Sequence, residues 1–184
     1  WALWSEPGNG APCWPGAISP IWLPISRPTA AADAMTSAAR AQTDLFVLDT
    51  SALLRLYLAD GPLPPSLEPA IQRGCTGDAL LLVPDLCLLE CASVLLKQVQ
   101  RQLLSADECR ALLADLLQLP LRLTSATELA CAALDQAMAL SLSVYDASYL
   151  ALALKHGARL ITADKQLAKA ALSLGFLADP GFPE

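Results

Sequence analysis

Short apolar segments that fit buried strands recur along this chain, and helical segments separate them. The first is LFVL (45–48), which ALLLV (79–83), LRLT (121–124) and RLIT (159–162) follow in chain order. Strands buried on both faces of a parallel sheet read as such apolar runs, and alternation of strands with helices is typical of α/β proteins. The pattern therefore predicts a Rossmann-like, three-layer α/β/α fold around a central, mainly parallel sheet of four to five strands.

The predicted helices have recognisable ends. Ser105 with Glu108, and Ser143 with Asp146, have the spacing of a capping box. Gly157 fits a helix end, as does Gly175. We expect helices over 51–58, a short segment ending near Arg73, Pro84 to about Gln102, 105–118, about 125–140, 143–156 and 163–174.

The first part of the chain differs in composition from the rest. All four Trp and six of the fourteen Pro lie within residues 1–28, and Pro and Gly break the one apolar stretch there. That stretch fits neither a signal peptide nor a membrane span. We expect a disordered extension over 1–43, in which residues 1–34 are upstream or expression-derived sequence, and a folded domain over 44–184. The alternative is a native arm whose Trp side chains hold a partner.

Charge and composition exclude several classes of function. The formal net charge is −6, so nucleic acid would have to be bound by local contacts rather than by a long-range positive field. The chain has one His and six Cys without a CxxC pair, which gives little support to a zinc site or a His-dependent triad. We interpret the cysteines as reduced thiols of a cytoplasmic protein that does not associate with membranes.

Four carboxylates stand where strands end or within apolar helical segments. They are Asp49, Glu90, Asp146 and Asp164. Three of them have a structural explanation, since Asp49 and Asp164 fit N-caps and Asp146 fits a capping box. Glu90 is harder to explain in this way, because it lies within LCLLECASVLL and a buried carboxylate is costly without a partner.

The motifs and their order resemble the PIN-domain ribonucleases, and among these the VapC-like toxins of toxin–antitoxin modules. The resemblance rests on VLDTSALL (47–54), VPDLCLLECASVL (83–95) and LSVYDASYLALALKHGARLITAD (142–164). It implies a PIN-like fold, and a pocket in which Asp49, Glu90, Asp146 and Asp164 bind Mg²⁺ or Mn²⁺. Ser51 and Thr162 match accompanying hydroxyl positions.

The function that this resemblance implies is metal-dependent cleavage of RNA phosphodiester bonds by an endoribonuclease. Hard divalent cations prefer carboxylate oxygens and water, so the chemistry needs neither His nor Cys. The resemblance also implies a cognate antitoxin, and we expect a homodimer. Arg55 and Lys97 are candidates for phosphate contacts, although both also fit an ordinary solvated face.

Two other functions remain open. Asp49 at a strand end could act as a phosphoaspartyl nucleophile in a phosphotransferase or phosphatase. However, Ser51 stands where a haloacid-dehalogenase-type site needs a second Asp. The remaining possibility is a non-catalytic PIN-like binding module, against which the complete set of four acids argues.

Overall fold

The computed structural model describes residues 43–182 of the chain. The strands are β1 (Asp44–Leu48), β2 (Ala79–Pro84), β3 (Leu121–Thr124) and β4 (Arg159–Ile161). The helices are α1 (Thr50–Leu54), α2 (Leu67–Thr76), α3 (Cys87–Gln100), α4 (Ala106–Leu116), α5 (Ala126–Leu140), α6 (Val144–His156) and α7 (Lys165–Ser173). The predicted extension lies outside the described residues, apart from Thr43, so its disorder and the start of the domain stay predictions.

The four strands form one parallel sheet in the order β3-β2-β1-β4. The chain steps from β1 to β2 and β3 in one direction and then returns to place β4 on the other side of β1. Because crossover connections between parallel strands are right-handed, this reversal distributes the connecting helices over both faces of the sheet. The predicted three-layer α/β/α fold with a mainly parallel sheet is thereby confirmed.

Helix α6 forms the centre of the core. Seven consecutive residues of this helix, 147–153, are buried, and α6 packs against β1, β2 and β4. Gly157 ends it with a left-handed conformation (φ 62°), which glycine adopts without steric cost. Among residues 43–182, no single helix is long and apolar enough to span a membrane, and only α5 and α6 taken together across a 110° bend pass that test.

Two predicted helix boundaries were wrong. Helix α1 ends at Leu54 rather than residue 58, because the chain continues as a turn in which Tyr57 N donates to Leu54 O. Pro84 does not begin a helix but is the last residue of β2, opposite Thr124 of β3. Proline cannot donate a hydrogen bond to a strand ladder, so it is better placed at the end of a strand than within one.

The two edges of the sheet differ in how their charges are paired. At the amino-terminal edge, Asp44 Oδ2 lies 2.5 Å from Arg73 Nη1 and 3.5 Å from Arg159 Nη2. The Arg73 hydrogen bond holds the pKa of Asp44 below its usual range. No carboxylate at the carboxyl edge has such a partner within the described part of the chain: the five ion pairs found there do not include Asp49, Glu90, Asp146 or Asp164.

Candidate active site

The candidate site lies where β1 and β4 end side by side. The chain reverses its direction across the sheet between these two strands, and α/β proteins bind ligands in the crevice outside such a point. Leu48 pairs with Ile161, and Asp49 N then donates to Ile161 O over 3.0 Å. Asp49 and Thr162 are therefore the first residues beyond the two strands and lie next to each other.

Asp49 is held by hydroxyl groups. Its Oδ2 atom accepts a hydrogen bond from Thr162 Oγ1 at 2.8 Å, another from Ser51 Oγ, and a longer one from Ser51 N at 3.3 Å. The Ser51 N contact makes Asp49 the N-cap of α1, which is the structural role that the sequence predicts for it. All of these bonds reach Oδ2, which leaves Oδ1 free of hydrogen bonds from residues 43–182.

The carboxyl group of Asp49 is buried, with only 4% of the residue exposed. Its pKa is raised from 3.8 to about 6, chiefly by burial; the hydrogen bonds from Ser51 and Thr162 oppose this shift, and the charges of Asp146 and Glu90 add to it. Burial disfavours a carboxylate, and nearby carboxylates disfavour it again. An anion is thus placed where, within the described residues, no cationic side chain neutralises it.

Glu90 lies in the first turn of α3, and two side chains hold its carboxylate. Thr50 Oγ1 donates to Glu90 Oε2 over 2.9 Å and lies 2.7 Å from the hydroxyl of Tyr149, which also donates to Glu90 Oε2. Tyr149 is buried, and this burial raises the pKa of its hydroxyl, which therefore stays protonated as a donor. The cost of the partly buried Glu90 is thus reduced by hydrogen bonds, without an ion pair.

The sequence analysis missed Thr50 and Tyr149. Tyr149 lies within the apolar run ASYLALAL, where a tyrosine reads as a core residue, and only its hydroxyl signals the need for a polar partner. Beneath this network lie Cys87 and Cys91, which are fully buried free thiols, and Thr50 Oγ1 is 3.5 Å from Cys87 Sγ. The described cysteines are all unpaired.

Asp146 and Asp164 also lie at helix starts. Ser143 Oγ donates to Asp146 Oδ2 at 2.7 Å and accepts from Asp146 N at 3.0 Å, at the start of α6. Asp164 is the N-cap of α7, since its Oδ1 accepts from Leu167 N at 2.7 Å. Asp164 is exposed and Asp146 is half-buried, so each can reach solvent beside Asp49 or Thr162.

The structure brings the predicted acids to one edge of the sheet without forming a closed chelate. Among the described residues, no three Asp, Glu, His or Cys side chains are arranged to hold one metal ion. The hydrogen bonds at Glu90 and Asp146 direct these carboxylates toward their own neighbours. Each acid nevertheless lies at an N-cap or in the first turn of a helix, where the helix dipole favours negative charge.

The donor set fits a hard divalent cation. Carboxylate and hydroxyl oxygens are the ligands that Mg²⁺ and Mn²⁺ prefer, and Mg²⁺ takes only one or two carboxylates directly while it keeps several waters. The free Oδ1 of Asp49, together with the raised pKa of this group, marks the place where a cation would stabilise the protein. The chain could hold such an ion through Asp49, with Glu90, Asp146 or Asp164 as direct or water-mediated ligands.

This arrangement of acids at the carboxyl edge of a parallel sheet defines a PIN-like protein, and the profile of the PIN domain family matches residues 46–172. The chain belongs to the PIN domain family, and within that family it is a homologue of VapC proteins. It is 34% identical over 125 residues to Ribonuclease VapC3 of Pyrobaculum aerophilum, an alignment that covers 67% of this chain and 92% of the relative.

The solved structure of PAE2754 supports the same fold, and VapC20 is a more distant match. PAE2754 of Pyrobaculum aerophilum matches 69% of this chain and 86% of its own with a TM-score of 0.55 at 22% sequence identity. VapC20 of Mycobacterium tuberculosis, a toxin that cleaves the sarcin–ricin loop, matches 72% of this chain and 96% of its own with a TM-score of 0.48 at 17% identity. The predicted resemblance to VapC-like PIN-domain proteins is confirmed.

Proposed function

We propose that this protein is a Mg²⁺- or Mn²⁺-dependent endoribonuclease and the toxin of a toxin–antitoxin pair. The observation that carries the proposal is the buried, unneutralised carboxylate of Asp49 at the switch point of the sheet, with the charges of Glu90 and Asp146 acting on it. A purely structural N-cap needs neither burial nor two neighbouring acids. The similarity to Ribonuclease VapC3 supports RNA as the substrate.

Asp49, Glu90, Asp146 and Asp164 are proposed as the metal-binding and catalytic residues. Asp164 uses Oδ1 as a cap, which leaves Oδ2 for the metal or for a water molecule bound to it. Ser51 and Thr162 orient Asp49, because both donate to the same oxygen, Oδ2, and so direct Oδ1 into the site. Ala163 N donates to Ser51 Oγ and Asp164 N to Thr162 Oγ1, so the backbone after β4 fixes both hydroxyls.

The bound metal would supply a water molecule of lowered pKa and offset negative charge that develops during phosphodiester cleavage. Carboxylates lie around that position, and one that does not bind the metal directly could accept the proton of the water. Tyr149 and Thr50 hold Glu90 in place by donating to its Oε2 atom. These contacts restrict the rotation of a carboxylate that would otherwise be free to turn into solvent.

Cleavage of a single-stranded RNA by the purified full-length chain tests the function. We expect cleavage with Mg²⁺ or Mn²⁺, none with EDTA, and loss of activity in Asp146→Asn. Arg110→Gln is a matched control, since Arg110 is paired only with Asp107 on the exposed face of α4. Metal-independent formation of a phosphoenzyme would instead support the phosphoaspartyl alternative, and RNA binding without cleavage would support a binding module.

The proposed partner is a cognate antitoxin whose disordered segment folds upon binding. We expect this segment to place an Arg beside Asp49, Glu90 and Asp146, because a guanidinium binds carboxylates bidentately and occupies the space that a metal needs. Inhibition should then weaken as the Mg²⁺ concentration rises, and Arg→Ala in the antitoxin should restore cleavage. Inhibition that is equal at all Mg²⁺ concentrations would contradict this model.

We also propose a cytoplasmic homodimer. Large apolar side chains are exposed on α3 and α5, including Leu89, Leu96, Leu134 and Met138. Leu89 and Leu96 are seven residues apart on α3, and Leu134 and Met138 are four apart on α5, so each pair lies on one face of its helix and could contribute to an interface. Sedimentation analysis of the purified chain tests the dimer, and substitution of Leu96 by Gln should shift the equilibrium toward the monomer.

A further inference from the structure

A cleft of about 900 Å³ lies next to the acidic site. Its walls are the Pro-rich loop over 60–65 and the segment over 178–182, and its floor includes Arg55, Ala163 and Lys165. Ala163 lies between Thr162, which binds Asp49, and Asp164. The cleft therefore adjoins the acidic site, and its volume is within the range of ligand sites.

Lys165 is a cation in a position that does not favour cations. It is the first residue of α7, where the helix dipole disfavours positive charge, and this first turn contains no acidic residue. Lys165 is exposed and forms no ion pair within residues 43–182. The N-terminus of α7 is already capped by the Asp164 carboxylate, so it is the ammonium group of Lys165 that can attract an anion at the wall of the cleft.

Arg55 provides a second positive charge. Its Nη1 atom is paired with Asp60, which is 57% exposed, and a pair at such a surface contributes little stability. The Nε atom is buried without an acceptor. A Cβ atom at Gly61 would lie 2.6 Å from Arg55 Nη1, so the loop passes close to the flexible end of the Arg55 side chain. Arg55 can thus exchange Asp60 for another anion.

Two further residues of the cleft, Asp179 and Phe182, bear on which ligand it can bind. Asp179 also lines the cleft, and both of its carboxylate oxygens accept hydrogen bonds from Ser66, with Oδ1 3.1 Å from Ser66 N, which direct this carboxylate toward Ser66. Phe182 lines the cleft and is half-buried. Bases of single-stranded nucleic acid stack on such rings, while cations beside them bind the backbone phosphates.

We infer that this cleft binds the single-stranded RNA segment that flanks the scissile phosphate, with Lys165 and Arg55 on its phosphates and Phe182 against a base. The inference rests on the proposed ribonuclease function and names the residues through which an acidic protein holds its substrate. A chain of net charge −6 cannot attract RNA through its overall field, so it needs local cations beside the acids. An acidic protein segment would use the cations but not the aromatic ring.

Binding is measured by fluorescence anisotropy of a labelled single-stranded RNA of about twelve nucleotides, a length suited to one such site. The full chain carries Asp146→Asn so that the RNA is not cut, and Mg²⁺ is present. Lys165→Gln should weaken binding several-fold and lower the salt dependence by about 0.7 of a unit in log–log slope, which corresponds to one phosphate contact. Phe182→Ala should weaken binding at least fivefold, as loss of one stacked base predicts.

Lys169→Gln is the matched control, because Lys169 is exposed one turn further along α7 and does not line the cleft. It removes the same charge and should leave the affinity within about twofold of the reference, since it touches no phosphate. Equal effects of Lys165→Gln and Lys169→Gln would overturn the inference. So would displacement of the RNA by polyglutamate at equal charge concentration, because the cleft would then be a general anion site.

A cleavage assay separates the failure of this inference from the failure of the proposed function. In the otherwise wild-type chain, Lys165→Gln should raise KM more than it lowers kcat. Cleavage by the wild type with identical KM values for Lys165→Gln and Lys169→Gln would refute the cleft alone. Selective RNA binding through Lys165 and Phe182 without any metal-dependent cleavage would refute the nuclease function and support the cleft.

Discussion

A neutral side chain at position 49 should make the metal-free protein more stable. The pKa of Asp49 is raised from 3.8 to about 6 in the folded protein. Above both values the folded protein holds a carboxylate that burial disfavours, and a shift of about two pKa units corresponds to ~3 kcal/mol. Asn keeps the shape of Asp and an oxygen that can accept from Ser51 and Thr162. Asp49→Asn should therefore gain most of this free energy of unfolding near neutral pH.

The pH dependence of stability shows whether the charge on Asp49 causes the difference between the wild type and Asp49→Asn. The folded state binds the proton of Asp49 more tightly than the unfolded state, so the contribution of Asp49 to the stability of the wild type is greatest below pH 3.8 and falls as pH rises to about 6. The advantage of Asp49→Asn should be small near pH 4 and complete above about pH 6.5. For a domain of this size, ~3 kcal/mol corresponds to a rise in Tm of about 6–12 °C.

Urea unfolding in EDTA at about pH 4 and about pH 7.5 measures this difference. Asp164→Asn is the control, because Asp164 is exposed and Asn caps a helix as well as Asp does, so its stability should stay close to that of the wild type. If Asp49→Asn were no more stable than the wild type at about pH 7.5, or gained equally at both pH values, the assigned cause would be refuted.

The other predictions concern metal binding and cleavage. Mn²⁺ at about a hundred times its Kd should stabilise the wild type by ~2.7 kcal/mol, and an unchanged Tm across a millimolar titration would contradict a metal site. Glu90→Gln should abolish cleavage and reduce this stabilisation, and a Glu90→Gln protein with normal activity would remove Glu90 from the site. Asp164→Asn should lower cleavage while stability stays unchanged; full activity would show that Asp164 is only a cap. Tyr149→Phe should cost about 1 kcal/mol of stability through the lost hydrogen bond to Glu90 and should weaken Mn²⁺ binding, as a calorimetric titration would detect. Unchanged Mn²⁺ affinity would mean that Tyr149 contributes to core packing and not to the metal site.

Much of the fold could be predicted from the sequence, because β1 and β2 are largely buried and buried parallel strands leave an unbroken apolar signal. The segments 45–48, 79–83 and 121–124 each fall within an observed strand, although β3 lies at the edge of the sheet with Arg122 and Leu123 exposed. The boundary at Pro84 could not be predicted in the same way. A proline is allowed both at a strand end and in the first turn of a helix, and pairing with β3 decides between them.

The acids at the site could be predicted from their positions, whereas their supporting contacts could not. Asp49 follows β1 directly and Asp164 lies shortly after β4, and this places both at the carboxyl edge of the sheet. Thr50 and Tyr149 meet Glu90 from 40 and 59 residues away in the chain, so nothing local to either residue indicates the contact. The cleft also depends on distant segments, because Arg55 and Phe182 meet only when the chain after β4 returns to the Pro-rich loop.

The order of the strands has a consequence for the timing of synthesis. β1 is translated first and lies in the middle of the sheet, yet its neighbour β4 is translated last. Thr162, which holds Asp49, and Asp164 follow β4, so a nascent chain on the ribosome lacks these groups until its final segments emerge. A chain truncated before residue 159 would keep Asp49, Glu90 and Asp146 but not the strand that closes the pocket. The protein therefore cannot assemble this pocket until β4 and the residues that follow it have been translated.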